Sequence, residues 1–409
     1  MLRPNVKITA MNGGLALIAP AAYGTSAILV ASPIAPVAGY GVPFLVKNKK
    51  QVSTAFVQAG NEAVITAIND GFFAEAPEGT ALWILASAPA TTMTAMLAFA
   101  IADLLMNAGG GDIRFLGVVK FPGGAYAPTV TTGFDDEVFT AVTAAQALAD
   151  RWFGKKQPFR IFIEGFAFDG IAATAKDYKA EVDKNVAISP FNINGSTAQA
   201  TLLALGRRAR IESQQSIGRV KTGSLNIAEA AVVKIGTTVA DDYDTDDLDS
   251  LWEKRYITIE PNRTAPGYVF SDDNTLCDPT DDYSQLRNGA VMDNIVRLAF
   301  DTYYQEVNDD VDVDENGRLS AAVEKALETA VETSIDNAIR SQLSKKKDGT
   351  ADVRCLVNPD PIQYAALYEA NGISNPNFNL LQTSNVYLFV MAKPKGCLKY
   401  LNVYVGFTS

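Results

Sequence analysis

Apolar residues recur along the chain with two different spacings, and each spacing predicts a different kind of element. Short apolar runs predict buried strands, whereas apolar residues three or four positions apart predict helices. The strand candidates are Leu82–Leu85, Ile113–Lys120, Phe159–Phe166, Val186–Ile193 and Ile217–Val220. The helix candidates are Thr54–Asp70, Thr94–Met106, Asp135–Trp152, Thr174–Asp183 and Thr197–Glu212. Strands that alternate with helices in this way are typical of a mainly parallel sheet covered by helices.

Both ends of the chain carry strand patterns of their own. Val6 and Ile8 alternate with polar residues near the start, and Val386–Ala392 and Leu398–Phe407 are strand candidates near the end. The last strand is apolar on both faces, with one face made of Leu401, Val403, Val405 and Phe407. An exposed strand of this kind invites pairing. It is therefore either covered within the chain or added to a sheet of a neighbouring subunit.

A change of composition separates the first part of the chain from the last. Aspartates crowd the stretch 240–283, which predicts a solvated loop at a domain boundary. Two further helices follow, Gln285–Tyr304 and Leu319–Leu343.

The helix 319–343 has an apolar face and, beside it, a row of carboxylates at every fourth position. We call this row of Glu324, Glu328, Glu332 and Asp336 the acidic row. Like charges at this spacing cost roughly 0.2–0.5 kcal/mol per pair in an isolated helix. The pattern fits either a solvated helix face or a surface that meets a basic partner.

Charge and composition exclude several classes of function. The 409 residues include 35 Lys and Arg and 46 Asp and Glu, which gives a net charge of −11. Such a balance argues against a nucleic-acid partner, since phosphates require clustered cations. There is no histidine, so histidine triads, dyads and metal sites are excluded. The three dispersed cysteines, Cys277, Cys355 and Cys397, predict buried thiols rather than a disulfide framework.

The motifs that carry phosphate or metal chemistry are missing or incomplete. The chain has no G-x-G-x-x-G and no G-x-x-x-x-G-K-[ST] sequence. Asp312, Asp314, Asn316 and Gly317 match the start of a calcium loop, but Val323 stands where the closing glutamate belongs. We therefore expect an Asn-Gly turn followed by a helix that Ser320 caps. The apolar stretch 81–106 contains Pro89 and Asp103 and predicts a buried strand and helix rather than a membrane span. From these patterns we predict that the chain binds no cofactor or metal ion and is not an enzyme.

Four segments carry a resemblance to a known family. They are Pro4–Thr9 with Asn12-Gly13, Leu203–Arg210 leading into Ser216–Gly223, Asp281–Ser284 followed by Asn288–Arg297, and the paired strands at the C-terminus. In their order and spacing they resemble contractile-tail sheath proteins, which occur in phages with contractile tails and in related bacterial injection systems.

The resemblance implies an α/β architecture, α+β overall, with strand-forming arms at both ends. It implies an N-terminal arm at 1–24, an α/β region with the outer part at 25–255, an inner tube-facing domain at 256–397 and a C-terminal arm at 398–409. The residues expected to add strands to neighbouring subunits are Val6, Ile8, Leu401, Val403, Val405 and Phe407. The acidic row is expected to face the tube.

The resemblance also implies a function. Such a subunit polymerises around an inner tail tube and contracts from a metastable extended state, which drives the tube through a target envelope. Its partners would be copies of itself, the tube protein, and baseplate and terminator proteins. It would be found in a virion tail or injection particle assembled in the host cytoplasm, without membrane insertion. Two alternatives stay open: a soluble α/β enzyme without histidine chemistry, and another self-assembling tail or shell subunit.

Overall fold

The chain forms two compact units in the computed structural model, which describes residues 25–397 and 399 apart from 58, 125 and 308. The first unit contains residues 25–149, 159–212 and 217–284. The second contains 150–158, 213–216 and the described residues from 285 onward.

The first unit contains fifteen of the described strands, seven whole helices and the first part of an eighth, α6, which continues beyond Ala149. The strands are β1 (Thr25–Ala31), β2 (Phe44–Val46), β3 (Leu82–Ser87), β4 (Ile113–Lys120), β5 (Val130–Thr131), β6 (Phe134–Asp135), β7 (Arg160–Glu164), β8 (Val182–Asp183), β9 (Val186–Ser189), β10 (Phe191–Ile193), β11 (Val233–Ile235), β12 (Thr238–Val239), β13 (Ile259–Pro261), β14 (Tyr268–Phe270) and β15 (Leu276–Cys277). The helices are α1 (Lys49–Ala55), α2 (Glu62–Ala67), α3 (Phe73–Glu75), α4 (Met93–Met96), α5 (Phe99–Ala108), α6 (Asp136–Gly154), α7 (Thr197–Arg210) and α8 (Thr245–Glu253).

Six of these strands form the central sheet, in the order β2-β3-β1-β4-β7-β9. All neighbours in this sheet are parallel except β2, which runs antiparallel to β3. At its centre, Ile28 of β1 lies between Ile84 and Gly117. The five parallel strands follow the chain in the order 2-1-3-4-5, which is a doubly wound arrangement. The other strands form small antiparallel sheets, namely β10-β11-β12, β13-β14, β15-β8 and β5-β6.

Helix α7 is buried from Ala198 to Ala209 and packs against β4 and a π-helical segment, Ile68–Phe72. Gly206 permits this approach, because a Cβ atom at this position would lie 2.3 Å from the carbonyl oxygen of Phe72. Any larger residue would force the two helical segments apart.

Buried charged groups at the end of α7 connect Leu203–Arg210 with Ser216–Gly223, the two parts of the second segment that carries the resemblance. Glu75 Oε2 lies 3.0 Å from Arg207 Nη1 and 3.2 Å from Arg210 Nη1. Arg207 also donates a hydrogen bond to the carbonyl oxygen of Gly223, and the Asn226 N–H donates to Glu75 Oε1 at 2.6 Å. The paired arginines of the sequence are therefore structural groups of the first unit.

The second unit consists of α9 (Leu286–Tyr303), α10 (Ala321–Ile339), β16 (Val353–Val357), α11 (Ala365–Ala370), α12 (Leu380–Thr383) and β17 (Leu388–Ala392). Its core contains Val291, Ile295, Leu319, Val331, Ile335, Ile339, Leu343, Ala351, Val353, Cys355 and Val357. The two strands pair antiparallel, with Cys355 opposite Val390 and Arg354 opposite Met391.

The boundary between the two units falls at Ser284/Gln285 and not at the predicted 255/256. The reason is that residues 256–284 pack with the first unit. The Ile257 N–H donates to the carbonyl oxygen of Ile188 at 2.9 Å, and the ring of Tyr256 stacks on Phe134 with centroids 5.2 Å apart. Arg255 in turn donates to the carbonyl oxygen of Ser284.

The prediction of a mainly parallel, helix-covered sheet is confirmed, but several elements differ from their predictions. The predicted helix Thr174–Asp183 is wrong, because this stretch forms turns and ends in β8. Near its start, Lys254 Nζ donates to the carbonyl oxygens of Ala172, Ala173 and Ala175 at 2.7, 3.0 and 2.9 Å. The predicted strand Ile217–Val220 is also wrong, and a short 3-10 helix follows there at Val220–Thr222.

Three other predictions need their boundaries corrected. The strand Val186–Ile193 divides at Pro190 between two different sheets, because proline cannot donate to a ladder. The helix Thr54–Asp70 is interrupted near Gly60, whose φ is +103°. The helix Thr94–Met106 is divided into α4 and α5.

Candidate functional site

The acidic row lies on α10 beside the outer edge of β16. Glu332 Oε1 accepts a hydrogen bond from the Cys355 N–H at 2.8 Å, and Glu328 Oε1 accepts one from the Val357 N–H at 3.3 Å. Asp336 Oδ1 accepts one from the Ala351 N–H at 2.7 Å. At the other end of the row, Asn358 Nδ2 donates to Glu324 Oε1 at 3.5 Å. All four carboxylates are half-buried, so the row has partners within the chain and is not a solvated helix face.

The two repeats match in length for the central pair, because Glu332 and Glu328 are four helical residues apart and bind the N–H groups of Cys355 and Val357, which are two strand residues apart. Four helical residues rise about 6 Å, and two strand residues rise about 6.6 Å. In β16 alternate residues pair with β17, as shown by the flanking bonds from Asn358 N to Tyr387 O and from Lys393 N to Asp352 O. The N–H groups of the residues between them, including Cys355 and Val357, face away from β17. Glu332 and Glu328 bind two members of this second set, whereas the Val353 N–H donates to the carbonyl oxygen of Ala351 at 2.9 Å.

Neighbouring cations hold two carboxylates of the row in place. Lys325 Nζ lies 3.0 Å from Glu328 Oε2, and Arg340 pairs with Asp336. The hydrogen bond from Arg340, together with that from the Ala351 N–H, lowers the pKa of Asp336. Burial raises the pKa of Glu324 instead. The pKa values of Asp336 and Glu324 are therefore shifted in opposite directions at the two ends of the row.

The second edge of the hairpin differs from the first. Among the described residues, the sheet contains β16 and β17 alone, so no third strand covers the far edge of β17. The side chains of β17 that face the core, Leu388, Val390 and Ala392, are only partly buried. Their partners on β16 are buried, with 2% exposure for Val353 and Cys355 and 5% for Val357. The core of the second unit is therefore less well covered at β17. The strand β17 lies within the predicted strand Val386–Ala392, whereas its partner β16 was not predicted, because its sequence carries no clear alternation.

The loop before α10 forms the predicted turn. Asp314 Oδ1 accepts hydrogen bonds from the N–H groups of Asn316 and Arg318 at 2.8 and 2.9 Å, and these bonds lower the pKa of Asp314. Gly317 has a φ of +71°, and Ser320 Oγ accepts the Val323 N–H at 3.4 Å. The Asn-Gly turn and the Ser320 cap are confirmed, and the Asp314 carboxylate is used within the turn.

A second charged cluster lies in the first unit, at the carboxyl edge of the parallel sheet. Lys120 ends β4, Glu164 ends β7, and Glu137 lies in the first turn of α6. Lys120 Nζ pairs with Glu137 Oε2, with side-chain exposures of only 1% and 8%. Doubly wound proteins hold their ligands at this edge. The cluster is therefore the place where the alternative enzyme function would have its chemistry.

The carboxyl groups of this cluster accept hydrogen bonds from N–H and O–H groups of the protein itself. Glu164 accepts the Lys120 N–H at 2.6 Å and the Thr197 hydroxyl at 2.5 Å, and Glu137 accepts the Met93 N–H. Burial raises the pKa of Glu164 to about 7, although both of its hydrogen bonds oppose the shift. The described residues contain no group of acids and cysteines able to hold a metal ion. The cluster is thus arranged as a structural ion-pair network that joins β4 and β7 to α6 and α7.

A cleft of about 680 Å³ lies at the start of α7 and between β10 and β11. Its polar lining includes Asn192, Thr197 and Lys234. Asn192 bonds to Gly236 O at 2.9 Å and to the Gly195 N–H at 3.0 Å, and Thr197 donates to Glu164. Because Asn192 and Thr197 are engaged with the protein itself, we assign no ligand to the cleft.

The predicted arm residues lie outside the described residues. They are Val6, Ile8, Leu401, Val403, Val405 and Phe407. Among the described residues, no helix has both the length and the apolar character required to cross a bilayer.

Comparisons with known proteins agree with the fold. The family model described as DUF2586, N-terminal domain, matches residues 3–274, which is more than half of the chain. A comparison with curated protein sequences gives no significant match.

Three solved structures are similar over nearly the whole chain. The helical sheath of the anti-feeding prophage (AFP) in its contracted state has a TM-score of 0.63 and 14% identity, and 99% of each chain is covered. The contracted sheath complex of the extracellular contractile injection system PVC has a TM-score of 0.61 and 10% identity, covering 99% of this chain and 98% of that one. A chain of the AFP baseplate has a TM-score of 0.58 and 15% identity, with full coverage of both. The resemblance to contractile sheath proteins is therefore confirmed at the level of the fold.

Proposed function

This chain belongs to the DUF2586 family, and on that premise we propose that it is a structural subunit of a contractile tail sheath. The observation that carries the proposal is the likeness to sheath chains in the contracted state, which covers 99% of this chain. The subunit polymerises around an inner tube, and its polymer shortens to drive the tube forward. The acids and cations at the edge of the parallel sheet support a structural rather than a catalytic role, because they are paired with one another.

Contraction in such a polymer draws its energy from two sets of subunit interfaces. An extended state changes to a contracted state when the second set is lower in free energy, and no nucleotide is required. The subunits must stay linked while their side-chain contacts exchange. Strand addition supports such a link, because an arm that forms five main-chain hydrogen bonds at about 1 kcal/mol each holds by several kcal/mol.

The described structure offers a place for this link. The far edge of β17 carries no strand within the described ranges, and its inward side chains are partly exposed. The alternating apolar residues of 401–407 suit such an edge. We propose that residues 1–24 and 398–409 are the arms that connect subunits.

The partners follow from the same proposal. They are further copies of the chain, the inner tube, a terminator protein and a baseplate, and the likeness to a baseplate chain of AFP supports the last. The particle is a phage tail or an injection system assembled in the host cytoplasm. Contact between the acidic row and the tube stays a prediction, and it would require these carboxylates to leave the N–H groups of β16.

Electron microscopy of the purified protein tests the proposal. We expect striated tubes or rings from the full chain, and soluble single subunits from a chain that lacks residues 398–409. Uniform small particles from both proteins would overturn the sheath function. Hollow assemblies whose length never changes would instead indicate another tail or shell subunit.

A further inference from the structure

An exposed apolar patch lies at the end of α9. The rings of Phe300 and Tyr304 have centroids 5.3 Å apart, and Tyr304 is 66% exposed. Val307 follows with 63% exposure. Three exposed acids stand beside these residues in the chain, namely Glu306, Asp309 and Asp310. We call the six residues the aromatic–acid patch. Exposed apolar residues with a polar rim indicate a surface that binds a partner.

The chemistry of the aromatic–acid patch selects a cation. The negative face of an aromatic ring attracts ammonium and guanidinium groups, and neighbouring carboxylates add to this attraction. The Asp309 N–H donates to the carbonyl oxygen of Glu306 at 3.2 Å, which keeps the acids close to Val307. In the described part of the chain, no cation lies over either ring and none forms an ion pair with the three acids. The patch therefore fits a basic partner.

Cations of the second unit gather just beyond α10. Three consecutive lysines at 345–347 are all exposed. The Lys346 N–H donates to the carbonyl oxygen of Thr350 at 2.9 Å, and the Gly349 N–H donates to that of Lys346 at 3.1 Å. These bonds order the backbone that carries the lysines, so this backbone loses little conformational entropy when a partner binds. We call residues 345–350 the basic turn.

The lysines of the basic turn have no ion-pair partner among the described residues. Asp348, the acid within the turn, instead accepts hydrogen bonds from the N–H and the hydroxyl of Thr350, at 3.0 and 2.7 Å. The Ser344 N–H donates to the carbonyl oxygen of Lys393 at 2.9 Å, which brings a further exposed lysine close to the turn. The basic turn therefore presents a cationic surface with an ordered backbone.

The aromatic–acid patch and the basic turn lie toward opposite ends of α10. The Tyr303 hydroxyl donates to the carbonyl oxygen of Leu327 at 3.2 Å, which places the end of α9 beside the first half of α10. Asn294 Nδ2 donates to Gln342 Oε1 at 3.1 Å, just before the basic turn. A helix rises about 22 Å between Leu327 and Gln342, which exceeds twice the Debye length of about 8 Å at physiological ionic strength. The basic turn therefore does not neutralise the patch of its own copy.

We propose that the basic turn of one copy binds the aromatic–acid patch of the next copy, with its lysines over the two rings and beside the three acids. This inference rests on the proposed function. Because the two surfaces differ and belong to different ends of the unit, the contact is head to tail and repeats from copy to copy, as rings and helical polymers require. The net charge of −11 makes copies repel one another. This contact supplies a local attraction that salt weakens.

Charge exchange between the two surfaces tests the contact in the full chain. The first variant makes both surfaces anionic and carries Lys345→Glu, Lys346→Glu and Lys347→Glu. The second variant makes both surfaces cationic and carries Glu306→Lys, Asp309→Lys and Asp310→Lys. The control changes the net charge as far as the first variant does, at three exposed lysines of the first unit, with Lys47→Glu, Lys50→Glu and Lys221→Glu.

Sedimentation velocity at low ionic strength measures the protein concentration that assembly requires. We expect each of the two variants alone to raise this concentration by about tenfold or more, because like charges then face each other. An equal mixture of the two should assemble near the concentration of the parent, since every contact between unlike copies again joins opposite charges. Tyr304→Leu keeps an apolar side chain without a ring and should raise the concentration about threefold. The control should assemble like the parent, and thermal melting shows that each variant has folded.

The outcomes separate this inference from the proposed function. Assembly of both variants at the concentration of the parent, an equal loss in the control, or a mixture that stays unassembled would overturn the contact. Unchanged assembly of Tyr304→Leu would overturn the placement of lysines over the rings. A parent chain that forms no tubes in the microscope would overturn the sheath function, and association in the mixture would still show whether the two surfaces bind.

Discussion

The two charged clusters of this protein use the same residue types for opposite purposes. In the first unit, Glu137 and Glu164 are buried beside Lys120, and every charge is held inside the sheet edge. In the second unit, the acidic row is half-buried and binds the backbone of a strand. One cluster joins elements of a scaffold, and the other covers a strand edge.

The two clusters differ in the free energy that is lost when one of their contacts breaks. Breaking a buried ion pair leaves an uncompensated charge, so the whole unit loses stability. Releasing a carboxylate from a strand edge exposes both groups to water, which satisfies them again. We therefore expect substitutions in the buried cluster to cost more stability than substitutions in the acidic row. Three measurements test this expectation.

The largest effect is expected for Lys120→Met in the first unit. The substitution leaves the Glu137 carboxylate without its cation and should lower the free energy of unfolding by about 3–5 kcal/mol. The control is Lys49→Met, because Lys49 pairs with Asp70 at 3.2 Å with both side chains about half exposed, at 51% and 54%. That loss should stay below about 1 kcal/mol. Calorimetric melting measures both, and equal losses would contradict a structural role for the network.

An intermediate effect is expected from the titration of Glu164. Burial raises its pKa from 4.5 to about 7 in the folded protein. The folded state therefore binds the proton more tightly than the unfolded state does. This contribution to stability is fully present below pH 4.5 and is lost as the pH rises through 7.

Between pH 5 and pH 8 the parent should lose about 2.5 kcal/mol more stability than Glu164→Gln, which has no proton to release. Urea unfolding at each pH measures this difference. Parallel pH profiles for the two proteins would show that Glu164 is not held protonated.

The smallest effect on the fold as a whole is expected for Glu332→Ala on α10. The Cys355 N–H loses its acceptor, and its hydrogen exchange should accelerate by about tenfold or more, while exchange in β4 stays unchanged. The control is Thr333→Ala, an exposed neighbour on the same helix. Faster exchange throughout both units would contradict the local nature of the acidic row.

Much of the acidic row was predictable, but its partner was not. The spacing of Glu324, Glu328, Glu332 and Asp336 places them on one side of a helix, and the structure has this helix at Ala321–Ile339. Sequence spacing reports only which residues share a face. The strand beside them, Val353–Val357, comes from a segment without clear alternation, so the hydrogen bonds to it could not be anticipated.

The central strand β1 shows the same limit in the first unit. Its residues are buried on both faces, so it lacks the alternation that marks a half-buried strand. It is therefore absent from the predicted strands. By contrast β4 was predicted with its observed bounds, Ile113–Lys120, because its apolar run is long and ends at a charged residue.

The class of fold and the helices with strong periodicity could be predicted from the sequence, and the lack of histidine excluded the chemistry that this residue supplies. These features depend on local pattern and composition, which the chain carries everywhere along its length. The three-dimensional contacts were needed to show that Glu75 pairs with both Arg207 and Arg210, that Lys254 donates to carbonyl oxygens near Ala173, and that Glu332 and Glu328 accept hydrogen bonds from N–H groups of β16. Each of these contacts joins residues far apart in the chain, and their energy depends on burial and geometry that no local pattern specifies.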